Sequence, residues 1–344
     1  MRLLLAGSWL NRRGLYEARV RKVMFLDDLE KLPTDDFPYF LVISYEMTRQ
    51  TTNIHVKTSG FPPIVVAHID GFKSADLKEG NTYLKFIGSS MSDEDFIKAV
   101  KLVKEYIQDG VVYQINISRR FDFELRGSPD DLFYSFYQRQ PVEYAFFLDC
   151  GEFYVLSGSM ELFLEKRGNT LKSKPIKGTS SSYRSLRNSQ KDRAENLMIT
   201  DMMRNDLGRI GSHVEVKELF KIKRYKTLYQ MYSTVECKTS ASLREILFAT
   251  FPPASVTGAP KIKAVEVIDS IEHHSRAFYC GCAGLVLGRD FTLSVLIRTA
   301  IGKENKVSYY AGCGIVWDSE PHKELRELYL KTKAFNPEFS NPSI

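Results

Sequence analysis

Cysteine is scarce in this chain, and paired metal-binding spacings are missing altogether. Five cysteines (Cys150, Cys237, Cys280, Cys282, Cys313) stand in 344 residues. An odd and sparse set does not build a disulfide scaffold and suits a reducing cytosol. No Cys/His spacing reads as a zinc site, and Cys280-Gly281-Cys282 reads as strand packing. Long apolar runs are also lacking: no window approaches the roughly 18 uncharged residues a spanning helix needs. Leu3–Leu10 is broken by Gly7 and Ser8 and lacks a small-residue cleavage site, so it does not read as a secretory signal. Walker and Rossmann glycine fingerprints, internal repeats and Pro- or Ser-rich linkers are absent as well.

What is present is an ordinary globular composition, 43% hydrophobic, 26% charged and 12% aromatic, which excludes disordered, collagenous and coiled-coil classes. The length exceeds the usual single domain, so one large two-lobed unit or two tightly joined domains is the prior. A net charge of +6 is mild. It does not demand nucleic acid and equally suits a small anionic substrate.

Residues 1–90 alternate short apolar runs (Tyr39–Ile43, Pro63–Ala67) with turn clusters and read as strands. Helical spacing predicts helices over 92–108, 191–207 (stopped by Gly208), about 260–272 and about 321–335. Strands are predicted at 111–117, 145–148, 153–156, 284–286, 293–300 and 307–312, and a polar loop at 172–193. Strand groups interrupted by helices, without regular alternation, favour an α+β fold.

Two helices carry acids where apolar residues are expected. On 191–207, Met198, Ile199 and Met202 fall within roughly 60° of Glu195, and Asp192 lies on the same side. A carboxylate there needs a cation, or else the stripe is displaced and Glu195 sits at its wet edge. On the last helix Glu324, Glu327, Leu328, Lys331 and Phe335 share a face. Taken alone that is a solvated i,i+4 pair worth a few tenths of a kcal/mol; two such helices together point to a hard-cation site for Mg²⁺. The segments Thr257-Gly258-Ala259-Pro260-Lys261 and Ala311-Gly312-Cys313-Gly314 suit oxyanions or are simply turns. Arg298, in an apolar strand, needs an anionic ligand or a buried acid nearby. Lys177, between proline and glycine, is a surface residue or, if desolvated, a nucleophile. His273 and His274 read as exposed, and the basic run Lys221–Lys226 as a solvated strand.

Several segments occur in a telling order: Y-Q-I-N-I-S-R-R-F (113–121), P-I-K-G-T (175–179), K-D-R-A-E-N-L-M-I (191–199), R-N-D-L-G-R (204–209), F-P-P-A-S-V-T-G-A-P-K (251–261), I-R-T-A (297–300) and A-G-C-G-I-V-W-D-S-E-P (311–321). Over about 110–335 the chain resembles the chorismate-utilising enzymes: anthranilate, aminodeoxychorismate, isochorismate and salicylate synthases. The resemblance implies one α+β unit over 1–344, with antiparallel sheets in a sandwich, helices outside and a deep cleft. Residues 1–90 would be a shortened β-rich part and 91–336 the motif-bearing catalytic part.

Carried over by position, the resemblance makes Glu195 and Glu327 Mg²⁺ ligands, direct or through water, with Asp192 and Glu324 beside them. The metal would hold the ring carboxylate of chorismate, assisted by Lys331 and the backbone at Gly312 and Gly314. Arg298 and Tyr279 resemble the pair holding the enolpyruvyl carboxylate, and Gly178 and Thr179 would line the ring. Gln114 stands where isochorismate and salicylate synthases have a water-activating lysine, which argues against water as nucleophile. P-I-K-G-T, where anthranilate synthases usually read P-I-A-G-T, is the aminodeoxychorismate synthase pattern. It implies that Lys177 attacks C2 of chorismate as the C4 hydroxyl leaves, with Glu161 as acid/base, and that ammonia from a separate glutamine amidotransferase subunit then displaces the lysine. The expected product is 4-amino-4-deoxychorismate, for p-aminobenzoate and folate synthesis in the cytoplasm. Anthranilate synthase component I, isochorismate synthase and a non-catalytic chorismate-binding subunit are the alternatives. The chain departs from the family pattern at Met160, where proline is usual, and at Gln230, where a histidine is usual. Little tryptophan regulation and no fused glutaminase or lyase domain are expected.

Overall fold

The computed structural model describes residues 1–76, 80–226 and 228–339. The last five residues, part of the expected single unit, therefore lie outside the described residues. In chain order the strands are β1 (Arg2–Gly7), β2 (Gly14–Leu26), β3 (Tyr39–Ile43), β4 (Ile64–Ser74), β5 (Tyr83–Ser89), β6 (Gln114–Arg126), β7 (Tyr144–Asp149), β8 (Tyr154–Ser159), β9 (Leu162–Arg167), β10 (Thr170–Lys174), β11 (Ile176–Ser180), β12 (Ser212–Arg224), β13 (Tyr229–Lys238), β14 (Gly258–Ala259), β15 (Cys282–Leu287), β16 (Asp290–Val295), β17 (Thr299–Lys303) and β18 (Lys306–Ile315). The helices are α1 (Thr48–Thr52), α2 (Asp93–Gln108), α3 (Pro129–Arg139), α4 (Tyr183–Asn188), α5 (Gln190–Gly208), α6 (Leu243–Thr250), α7 (Lys261–Ile271) and α8 (Pro321–Thr332).

Every recorded strand pair is antiparallel, and the pairs link into one path. It runs from β5 through β6, β18, β17, β8, β7, β1, β2, β4, β3, β15, β16, β9, β10 and β13 to β12. The path folds over on itself. Phe40 on β3 and Phe146 on β7 lie four steps apart along it, yet their rings meet at 4.9 Å. Strand alternation then sorts the core into two layers. Leu3, Leu5, Phe146 and Leu148 face inward onto β3, β4, β15 and β16. Leu4, Ala6, Ala145 and Phe147 face outward under α2, α3, α7 and α8. This is the α+β sandwich expected from the sequence.

Local chemistry sets the helix that faces the cleft. Ser189 caps α5 by accepting from the Asp192 amide at 3.2 Å. Its buried face is Asn196, Ile199, Thr200, Met203, Asp206 and Leu207, one position on from the stripe centred on Glu195. The stripe is thus displaced, and Glu195 sits at its edge.

Four expectations are corrected. The predicted polar loop 172–193 instead holds the end of β10, β11, α4 and the start of α5; the lysines of β10 pair with Glu165 and Glu218 on nearby strands. The predicted strand 293–300 breaks at Leu296–Arg298 into β16 and β17, with Arg298 at φ +51°. His274 is buried rather than exposed, hydrogen-bonded to Ser118 at 3.3 Å, with burial pushing its pKa down to about 4. The Thr257–Lys261 segment does not await an anion: a Cβ on Gly258 would lie 2.3 Å from the Gln114 carbonyl oxygen. Lys261 there is spent on Asp206 at 2.6 Å and on the Thr250 carbonyl at 2.7 Å.

Candidate active site

Three glycines let the walls of one cleft close in. A Cβ on Gly178 of β11 would lie 2.8 Å from the Asp192 Cβ of α5. On Gly314 of β18 it would lie 2.7 Å from Gln114 Nε2 and 3.1 Å from Lys177 Nζ. On Gly312 it would lie 2.7 Å from Tyr279 Oη and 3.0 Å from Asn116 Nδ2. A side chain at any of the three would displace these neighbours. Lys177, Gln114 and Tyr279, predicted from separate stretches of sequence, thus meet along β18, while Asp192 packs against β11 at the glycine that follows Lys177.

Helix α8 closes the cleft with its predicted acids. Lys331 Nζ donates to the Gly312 carbonyl at 2.8 Å and pairs with Glu327 at 2.8 Å. Glu324 is buried, and ligand atoms of Cys313, Glu324 and Glu327 lie within 4.8 Å of one another. Across from them on α5, Glu195 has a side chain only 13% exposed. Burial raises the pKa of Glu195, with Lys177 and Lys191 opposing the shift. Burial, and then Glu327, raise that of Glu324. Lys331 holds Glu327 below the ordinary carboxylate value.

Lys177 and Glu161 make the second cluster. Glu161 is buried and accepts from the Ile176 amide at 3.3 Å and from Ser255. Burial pushes its pKa up to about 7, with Ser255 and Lys177 opposing. Burial moves Lys177 the other way, below the ordinary lysine value, against the pull of Glu195 and Glu161. A carboxyl that keeps its proton near neutrality beside an amine that gives one up easily is an acid paired with a nucleophile.

Arg298 has found no acid among the described residues. Its Nη1 is buried without a partner, and Tyr309 and Tyr225 are the titratable groups nearest its charge. The segments bearing Arg298 and Tyr279 are stitched together: Cys280 N donates to Leu296 O and Leu296 N to Gly281 O, both at 2.9 Å. The amide oxygens of Gln114 and of Gln230, which sits opposite Thr179 in the β11–β13 register, are likewise buried without donors. A buried guanidinium and buried amides without partners are groups that a polar, anionic molecule could satisfy.

Sequence reasoning missed three things. Lys191 reaches Glu195 at 3.9 Å and Glu324 at 4.0 Å. Asn116 meets Tyr279. Arg276 and Glu272 form a buried pair at 2.7 Å, with Arg276 also donating to the Val256 and Asn116 carbonyls and Glu272 accepting from Ser118. The first two lay inside quoted motifs, and the third showed as an i,i+4 charge pair flanked by Ile271 and Ala277.

Gly314→Ala tests the crowding. With no room beside Gln114 and Lys177, turnover is expected to fall by about 10- to 100-fold through displacement of these groups, with the melting temperature nearly unchanged. Wild-type turnover in the variant would show that the contact does not position Lys177.

Residues 72–337 match the chorismate binding enzyme family. The chain is 35% identical over 258 residues to "Aminodeoxychorismate synthase component 1" of Klebsiella aerogenes, covering 71% of this chain and 57% of that protein. It is 33% identical over 261 residues to "Anthranilate synthase component 1" of Aquifex aeolicus, covering 72% of this chain and 53% of that protein. The match thus spans little more than half the length of these two relatives. The fold is that of anthranilate synthase component I from Streptococcus pneumoniae, with a TM-score of 0.79 at 22% identity over 97% of this chain and 90% of that one. Motifs, fold and sequence similarity agree, and the chain belongs to the chorismate binding enzyme family.

Proposed function

We propose that the chain is an aminodeoxychorismate synthase component I, converting chorismate and ammonia to 4-amino-4-deoxychorismate and water. The observation that carries this reading is Lys177 held against Gly314 beside Gln114, with Glu161 close by. The free amine of Lys177 forms a bond to C2 of chorismate while the C4–O bond breaks, and Glu161 protonates the departing hydroxyl. The new ammonium gives its proton to the Glu161 carboxylate; ammonia then bonds to C4 while the C2–N bond breaks, Glu161 returning that proton to the leaving lysine nitrogen and taking one from the new C4 ammonium, so that Lys177 is freed as the amine. One hard displacement becomes two easier ones. Gln114, whose neutral amide is too weak a base to take a proton from water, leaves water a poor competitor at the ring.

Arg298 and Tyr279 hold the enolpyruvyl carboxylate, and Lys331 with the Gly312 and Gly314 backbone supports the ring carboxylate. The positive charge supports an anionic substrate: residues 172–226 hold 14 Lys or Arg against 6 Asp or Glu, more than the whole excess of +6. That stretch includes β11 and α5, which face the cleft.

The acid cluster fits Mg²⁺. Its carboxylate oxygens are hard donors, and the one soft candidate, the Cys313 thiol, is kept protonated by burial and donates to the Glu324 carbonyl at 3.4 Å. Glu195 and Glu327 would hold the ion, with Glu324 and Asp192 beside them. Bound there, Mg²⁺ supplies positive charge for the ring carboxylate.

Ammonia would come from a separate glutamine amidotransferase subunit, the counterpart that a "component 1" implies. Among the described residues no helix is long and apolar enough to cross a membrane, in keeping with work in the cytosol. The test is product identification from chorismate, Mg²⁺ and ammonium, then with glutamine plus candidate amidotransferases. Aminodeoxychorismate is the expected product. Anthranilate with pyruvate would establish the rival the Aquifex relative represents, and isochorismate would overturn the argument from Gln114.

A further inference from the structure

Three ammonium groups, Lys177, Lys191 and Lys331, lie among the acids of this site, and one of the three has no role in the chemistry above. Lys177 is the nucleophile, and Lys331 is pinned by Glu327 and the Gly312 carbonyl. Lys191 differs from both. Its Nζ lies between the two facing helices, 3.9 Å from Glu195 on its own helix and 4.0 Å from Glu324 on α8.

The position is a poor one for a lysine otherwise. Lys191 is the second residue of α5, at the end where the helix dipole is positive and a cation is disfavoured. Its side chain is 45% exposed, and neither of its contacts is short. An ammonium held this way gains from the acids rather than from the helix and is free to leave.

We propose that Lys191 is the resident counter-cation of the acid cluster, bridging α5 and α8 until a divalent cation displaces it into solvent. The inference rests on the reading of Glu195 and Glu327 as the metal-holding pair. A divalent ion bound there places two positive charges beside Nζ and replaces a loose ion pair with direct oxygen coordination. Lys191 thus keeps the acids from repelling one another in the empty cleft and, by competing, weakens metal binding before substrate arrives.

The test is Mn²⁺ binding to the whole chain without substrate, read by electron paramagnetic resonance of the free ion. Lys191→Gln is expected to tighten Mn²⁺ about fivefold or more, a typical coupling between sites, while Lys191→Arg keeps the wild-type affinity. Arg193→Gln removes the same charge from the same turn, where the guanidinium lies over the Phe220 ring at 4.6 Å, and should leave affinity within about twofold. Equal affinity in Lys191→Gln and wild type, weaker affinity in Lys191→Gln, or equal tightening in Arg193→Gln would overturn the assignment. Absence of Mn²⁺ binding in every protein would instead overturn the metal reading beneath it.

Discussion

Lys177→Ala is expected to lower ammonium-dependent turnover of chorismate by about a thousandfold or more, the scale on which covalent catalysis is lost when its nucleophile is removed. Chorismate binding, measured by calorimetry, should change by less than about threefold if, as proposed, Arg298, Tyr279 and Lys331 supply the contacts to its carboxylates. The same site predicts a pH profile. Glu161 has a pKa raised to about 7, so its proton is present below that value and lost as pH rises through it. Turnover should therefore decline above about pH 7, and Glu161→Gln should remove that limb. Lys177, shifted below the ordinary lysine range by burial, supplies more free amine as pH rises and shapes the acidic limb. Activity surviving in Lys177→Ala would exclude the covalent route and leave direct attack by ammonia at C4.

The second large effect is on stability. Arg276→Leu should destabilise the fold by about 3–5 kcal/mol, the usual result of removing one partner from a buried ion pair. Glu272 would keep its hydrogen bonds from the Ser118 amide and hydroxyl at 2.7 and 2.9 Å but lose the charge that balances it. Burial alone would raise the pKa of Glu272, and Arg276, with smaller help from His274 and the Ser118 amide, lowers it instead. The Val256 and Asn116 carbonyls would lose their donor too. Denaturant unfolding measures the loss, and Glu272→Leu combined with Arg276→Leu should recover part of it. A loss below about 1 kcal/mol would show that the pair does not hold the segment in place. Because the Tyr279 amide donates to the Arg276 carbonyl at 2.9 Å, the single variant should also raise KM for chorismate.

Much of this was legible in the sequence where the signal is local. The Ser-Asp-Glu-Asp start and the spacing of Phe96, Val100 and Val103 gave α2, and the acids of α5 and α8 stood out against their apolar neighbours. The motif-bearing residues assembled because their glycines demand close approach. What could not be read depends on partners distant in the chain. Arg298 looked like a strand residue because Leu293–Ala300 is mostly apolar; the backbone turns there where Leu296 bonds to the 280–281 segment. Lys261 looked available until Asp206 was brought to it. His274 looked exposed at a helix end until β6 covered it. The fold-over of the sheet has no local signature at all, since Phe40 and Phe146 are joined by topology alone.

The place of β1 in that path bears on how the chain is made. Strand β1 can pair with β2 as soon as both are made, but its other neighbour, β7, comes only at Tyr144–Asp149. The strand β6 waits longer still, for β18 at Lys306–Ile315. Until β18 is synthesised, β6 keeps an open edge on newly made, apolar β-structure. Long-range pairing of this kind folds slowly and exposes strands that associate. Slow translation at low temperature, or a chaperone that covers strand edges, should therefore govern the soluble yield of this protein more than the stability of the finished fold.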